Sequence, residues 1–182
     1  RLMRMRCDMK RILLILVVLL AAAASAFGQV NLPQPSNYVE DLAGVVNASH
    51  EQALNRYLKE LQQKSGVQYI VLTVKSTEGE SIEQFAVRHA HDRWKLGTAE
   101  KDNGLLFVLA ENDRKYRFET GYGMEGFLPD SWLGRVGRTV LVPYLKDNRY
   151  SEGIYAANLK VVDRITNQYD IQLTGMPKVQ ER

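Results

Sequence analysis

LLFVLA at residues 105–110, ENDRK at 111–115 and YRFET at 116–120 decide the fold. The first is an unbroken apolar run of strand length, the pattern of a strand covered on both faces. The second is a polar turn. The third alternates and pairs back on the first as a hairpin. VQYIVLTV at 67–74 is a further β-branched and aromatic run and predicts another interior strand. Outward from these, the apolar period becomes helical. Ala53, Leu54, Tyr57, Leu58 and Leu61 recur at helical spacing, with Ser49 as N-cap, Gln52 closing a capping box and Gly66 as the stop. Ser81 caps a second helix with Ile82, Phe85, Ala86, Ala90 and Trp94 inward and Gly97 as its stop. Asp130 caps a third, which Pro143 should end or kink. Ser151 starts a fourth, carrying Ile154, Ala157, Leu159, Val161, Val162 and Ile165. The order predicts an α/β fold, a three-layer α/β/α sandwich with a small mixed β-sheet flanked by helices on both faces. The hairpin excludes an all-parallel sheet.

The N-terminus reads as an export signal. Met9-Lys10-Arg11 opens a basic stretch, residues 12–20 (ILLILVVLL) are apolar, and Ala24-Ser25-Ala26 is an A-x-A cleavage signal. The expected organisation is a signal peptide over 1–26 with its true start at Met9, and a proline-containing linker over 27–37. A domain follows over 38–169, with residues 38–46 as an irregular lead-in, and a tail over 170–182. The expected location is periplasmic or secreted. The alternative is an uncleaved N-terminal segment that anchors the domain to the inner membrane. Cys7, the single cysteine, falls inside the leader, so disulfides, thiolate metal sites and cysteine nucleophiles are not expected in the mature domain. Five of the 24 basic residues (Arg1, Arg4, Arg6, Lys10, Arg11) and one of the 21 acids (Asp8) are also in the leader. What remains is close to neutral, and no nucleic-acid partner is expected. A monomer is expected.

Three segments place polar residues at strand ends and turns: Asp41 with Gly44, Asp102-Asn103-Gly104, and Gly121 to Asp130 (GYGMEGFLPD). Asp102-Asn103-Gly104 has two readings. Asn-Gly and a preceding Asp make an ordinary turn. The same oxygens, with exposed carbonyls, also suit a hard cation such as calcium or magnesium. Gly121-Tyr122-Gly123-Met124-Glu125-Gly126 spells G-x-G-x-x-G, yet Phe127-Leu128-Pro129 intervenes before the next helix, so no nucleotide cofactor is expected. Those glycines instead serve positive φ and close approach to a neighbouring loop. His89 and His91 stand two apart on a helix and cannot chelate together. With His50, they are expected at the surface or boundary. Asp113 and Arg114 are expected as exposed turn charges, and Arg117 with Glu119 as members of cross-strand pairs.

Taken together, residues 38–45 (YVEDLAGV), Asp102-Asn103-Gly104, Asp113-Arg114 and residues 121–126 (GYGMEG), in this order, resemble the TPM domain. The resemblance covers about Tyr38 to Ile165 and implies the same α/β/α sandwich. It implies an exported envelope protein whose relatives are associated with calcium and similar ions. Plant relatives are similar proteins of the thylakoid lumen, linked to photosystem II repair and described as acid phosphatases. Carried over, it implies a metal or active site around Asp41, Asp102 and Asn103, with Glu125 and Asp130 nearby, and Ca2+ or Mg2+ as the ion. The function expected is a cation-binding interaction or maintenance module for an envelope or membrane protein. The alternative is a weak metal-assisted phosphatase.

Overall fold

The computed structural model describes residues 30–179. The leader and its cleavage position lie outside these residues. Four strands form one sheet in the order β1 (Val39–Asp41), β2 (Gln68–Val74), β3 (Gly104–Ala110), β4 (Lys115–Thr120). β1, β2 and β3 are parallel, and β4 returns antiparallel on β3, with Leu105 opposite Thr120 and Ala110 opposite Lys115. The expected mixed sheet is therefore present, and it gains a strand. The segment read as an irregular lead-in supplies β1, because three residues with one buried apolar side chain, Val39, suffice for an edge strand but carry too little periodicity to announce one.

Both faces of the sheet are covered. Strand residues Tyr69, Val71, Leu105, Phe107, Leu109 and Phe118 pack with Leu54, Leu58 and Leu61 of α1 (Ala48–Ser65) and with Ile154, Val161 and Ile165 of the long C-terminal helix, α5 (Tyr150–Tyr169). The alternate positions Ile70, Leu72, Leu106 and Val108 are also buried, on the face where Ile82, Phe85 and Ala86 of α2 (Ile82–Val87) lie. Burial on both faces is why β2 and β3 read as unbroken apolar runs. The remaining helices, α3 (Asp130–Val136) and α4 (Val142–Lys146), pack near α5.

Helix ends differ from the expected caps. Asn47 caps α1: its side-chain oxygen accepts from the His50 amide at 2.9 Å and from the Ser49 hydroxyl at 2.8 Å. Ser49 lies inside the first turn. Pro129 precedes α3, and Asp130 is its first residue, placed where a carboxylate favours the helix dipole. Pro143 does not stop the chain. A π-turn over Gly137–Leu141 widens the backbone, and α4 restarts with Pro143 in its first turn, where no intrahelical N–H is needed. α5 begins at Tyr150, one residue before Ser151. Ser81 caps α2 as expected.

Both flanking segments are docked. In the linker, the Leu32 amide donates to His89 Nε2 (3.4 Å), Trp94 Nε1 donates to the Pro33 carbonyl (2.8 Å), and Gln34 reaches the Arg93 carbonyl (2.9 Å). His89 is accordingly fully buried, with the Phe85 ring tilted against it and the Trp94 ring edge-on, which corrects its expected boundary position. Burial, with Arg88 and Arg93 close by, holds its imidazole below its usual pKa despite the Phe85 carbonyl. In the tail, Glu60 accepts from the Thr174 amide and hydroxyl, Lys64 donates to the Gln172 carbonyl and Tyr57 to that of Gly175. Leu173 enters the core.

Two polar locks yield predictions. Buried Tyr69 donates its hydroxyl to Asn158, whose amide donates to the Ile154 carbonyl at 2.8 Å, tying β2 to α5. Replacing Asn158 with Ala leaves a buried phenol unpaired and opens a small cavity. Chemical denaturation should show a loss of about 1–3 kcal/mol, and a loss within error would contradict the lock. The second lock is Asp113, which accepts from the Thr77 amide (2.8 Å), the Ser76 hydroxyl (2.9 Å) and the Thr77 hydroxyl (3.0 Å), where a free turn charge was expected. These bonds, the Thr77 amide first, hold its carboxyl below the usual value. A depressed carboxyl stabilises the fold above its unfolded pKa and loses that contribution as pH falls through its folded value. Asp113→Asn should therefore lower Tm at neutral pH, with the gap to the parent closing below about pH 4. A gap independent of pH would refute the assignment.

Candidate functional site: a loop cluster at the start of the parallel strands

The 98–103 loop, the end of α1 and the 121–128 loop meet where β2 and β3 begin. Asn103 organises the meeting. Its side-chain oxygen accepts from the Thr98 amide (3.0 Å), its side-chain nitrogen donates to the Gly66 carbonyl (2.9 Å), and its backbone carbonyl accepts from Gln68 N (3.3 Å). Only 2% of it is exposed. Gly66, with φ +79°, ends α1. Gly97 has φ +85°, and an added Cβ would lie 2.5 Å from the Gly104 nitrogen.

Asp102 holds the second loop. Its carboxylate accepts from the Tyr122 amide at 2.7 Å and its backbone carbonyl from Gly123 N at 3.1 Å. Its own amide donates to the Thr98 carbonyl (2.7 Å). Asp102 adopts φ +42°, a conformation that costs a residue with a Cβ and persists only where the surroundings impose it. Gly121 and Gly123 are required by proximity. A side chain at either would run into the backbone carbonyls of Asp102 and Lys101 respectively. Neither has positive φ, and Gly126 has open space around it, so the close-approach half of the glycine expectation holds and the dihedral half does not. The GYGMEG run forms a single 3-10 turn, Tyr122–Met124, whose apolar member Met124 is fully buried. Tyr122 is left projecting, 80% exposed.

The five residues assigned to one site fall in different places. Asp102 and Asn103 belong to this cluster, and Glu125 stands on its rim, exposed and without a side-chain partner among the described residues. Asp130 is paired with Arg117 at 3.3 Å. Arg117 also pairs with Glu119 along the same strand, at 3.1 Å, and not across to a neighbouring strand. His91 approaches the other Glu119 oxygen at 3.3 Å. Asp41 is not brought to Asp102. It is level with Thr73, whereas Gly104 is level with Gln68, so about 17 Å of strand separates the two ends. Asp41 organises its own turn, accepting from Val45 N (3.1 Å), Val46 N (2.9 Å) and the Thr73 hydroxyl. With both its oxygens and the Asn103 amide engaged, and with Asp102 Oδ2 accepting from the Tyr122 amide, the oxygens left for a hard cation at the cluster are Asp102 Oδ1, the Glu125 carboxylate and nearby carbonyls. Among the described residues, no three His, Cys, Asp or Glu side chains converge to hold an ion. The Asn103 and Asp113 locks were missed as roles, although a polar residue ahead of an apolar strand and a hairpin Asp were both visible signals.

The comparisons with known proteins concern the family and the fold. The family model of the TPM domain matches residues 39–164. A solution NMR structure of the N-terminal domain of a protein from P. gingivalis is 30% identical, with a TM-score of 0.69 over 80% of this chain and 89% of that one. The NMR structure of the BA42 protein from Bizionia argentinensis is 16% identical, with a TM-score of 0.56 over 68% of this chain and 83% of that one, and shares the fold. So does the N-terminal domain of the cg2496 protein from Corynebacterium glutamicum, 12% identical, with a TM-score of 0.54 over 86% of this chain and 99% of that one. No curated protein matches the sequence. The family match over most of the chain, together with the P. gingivalis domain, makes this protein a member of the TPM domain family.

Proposed function

We propose that the chain is an exported interaction module that engages an envelope or membrane protein through the 121–126 loop. In this reading, a divalent cation, Ca2+ or Mg2+, tightens the same loop through Asp102 and Glu125. One observation carries it: Asp102 clamps the backbone beneath Tyr122 with side chain and main chain while the tyrosine ring stays in solvent. An exposed aromatic on a rigid base loses little freedom on binding and offers large contact area, which makes it a good interface anchor. The ion has a narrower task. Oxygen donors of two carboxylates and loop carbonyls, completed by water, suit a hard cation at the weak affinities found in extracellular modules.

Calcium or magnesium should raise the Tm of the folded domain by mass action, and Asp102→Ala should abolish the rise. If no divalent ion moves Tm, the cation part of the reading is lost. The interface part has its own test. A photo-crosslinking residue at position 122, compared with one at exposed Lys59 on α1, should trap a discrete envelope protein from 122 alone. Equal or absent crosslinks from both positions would remove Tyr122 as an anchor.

A further inference from the structure

On the opposite side of α5 from its buried stripe lies a groove that shares only Phe127 with the 121–128 loop. Two rows of α5 residues spaced by four, Tyr155-Leu159-Asp163-Asn167 and Ala156-Lys160-Arg164-Gln168, form one wall. The α3 helix, its π-turn and α4 form the other, with Trp132, Val136, Val140 and Tyr144 again four apart. Residues 177–179 border the space. Its volume is about 950 Å³, large enough for a ligand of some size.

The chemistry of the walls is lopsided. The body is apolar and aromatic. Of the charged residues lining it, Arg135, Lys160, Arg164 and Lys178 are cationic, and Asp163 alone is acidic. Arg164 is committed: its guanidinium lies 4.5 Å over the Trp132 ring and donates to the Phe127 carbonyl, fixing one wall to the other. Arg135, Lys160 and Lys178 form no ion pair among the described residues. Three cations without an ion pair among the described residues, beside an apolar trench that holds a single acid, complement a ligand with an anionic head and an apolar body. A nucleic acid would need a far broader basic surface.

We propose that this groove binds a single-chain anionic amphiphile, a carboxylate or phosphate on an acyl or prenyl chain, with the chain along Trp132, Val140 and Leu159 and the head at Arg135, Lys160 and Lys178. The test uses decanoate, decyl phosphate and decanol, each as monomers, followed by amide chemical shifts of the folded protein. Both anions should shift groove residues and bind at least tenfold more tightly than decanol. The double charge reversal Arg135→Glu with Lys160→Glu, at exposed and half-buried positions, should erase that preference and leave decanol unaffected. Ala156→Trp fills the trench without changing charge and should weaken all three. The proposal is overturned by decanol binding as tightly as the anions, by an unchanged preference in the charge-reversed protein, or by shifts outside the groove. Binding to vesicles of anionic phospholipid with no response to monomeric decanoate overturns it as well, in favour of a membrane surface.

Discussion

Asn103 is buried where four pieces of chain converge, and it joins them with side chain and main chain. Its side-chain amide closes the end of α1 through Gly66 and holds the 97–98 turn through Thr98, while its backbone carbonyl sets the start of β2. An aspartate at this position would keep the acceptor and lose the donor to Gly66, burying a charge beside a carbonyl. Because Gly104 follows directly, the amide also fixes where β3 enters the sheet. Asp102 then transmits that position to the 121–126 loop. The exposed tyrosine is therefore held, through two residues, by a group that no solvent touches.

Above this end of the sheet the molecule is asymmetric. The α1 and α5 layer is thick, with α3 and α4 added to it, and carries the groove. The α2 layer is a short helix and a π-turn over Arg88–Arg93, supplemented by the linker segment packed on His89 and Trp94. His89 works as a structural histidine: its Nε2 accepts a hydrogen bond from the Leu32 amide and its Nδ1 faces the Phe85 carbonyl. Its lowered pKa follows from that position.

The fold was legible in the sequence wherever burial was two-sided or helical spacing persisted. Residues 67–74 and 105–110 read as interior strands, and Leu54, Leu58 and Leu61 mark a helix face. What stayed hidden was local and polar. Asn47 and Ser49 are both good caps, and only the path of the chain chooses between them. The π-turn at Gly137–Leu141 has no apolar period of its own, and the three residues of β1 are too few to show one. For the site, the sequence singled out Asp102, Asn103 and the GYGMEG run, and the structure brings these together with Glu125 at the rim. It could not tell that Asp41 lies at the far end of the strands. Separation along a sheet depends on register, and register is a property of pairing.

The docked segments have a mechanical consequence. Residues 31–34 are fastened to the α2 layer, and residues 172–175 to α1 on the other side of the sheet. A tension between these two segments would reach the edge strand β1 only after the 31–34 contacts had given way. It would load the three layers in shear, with the parallel strands between the anchor points, and the Tyr69–Asn158 and Glu60–Thr174 contacts on the α1 and α5 side would resist it. A domain held at either end is thus built to keep its core intact while its flanks carry force.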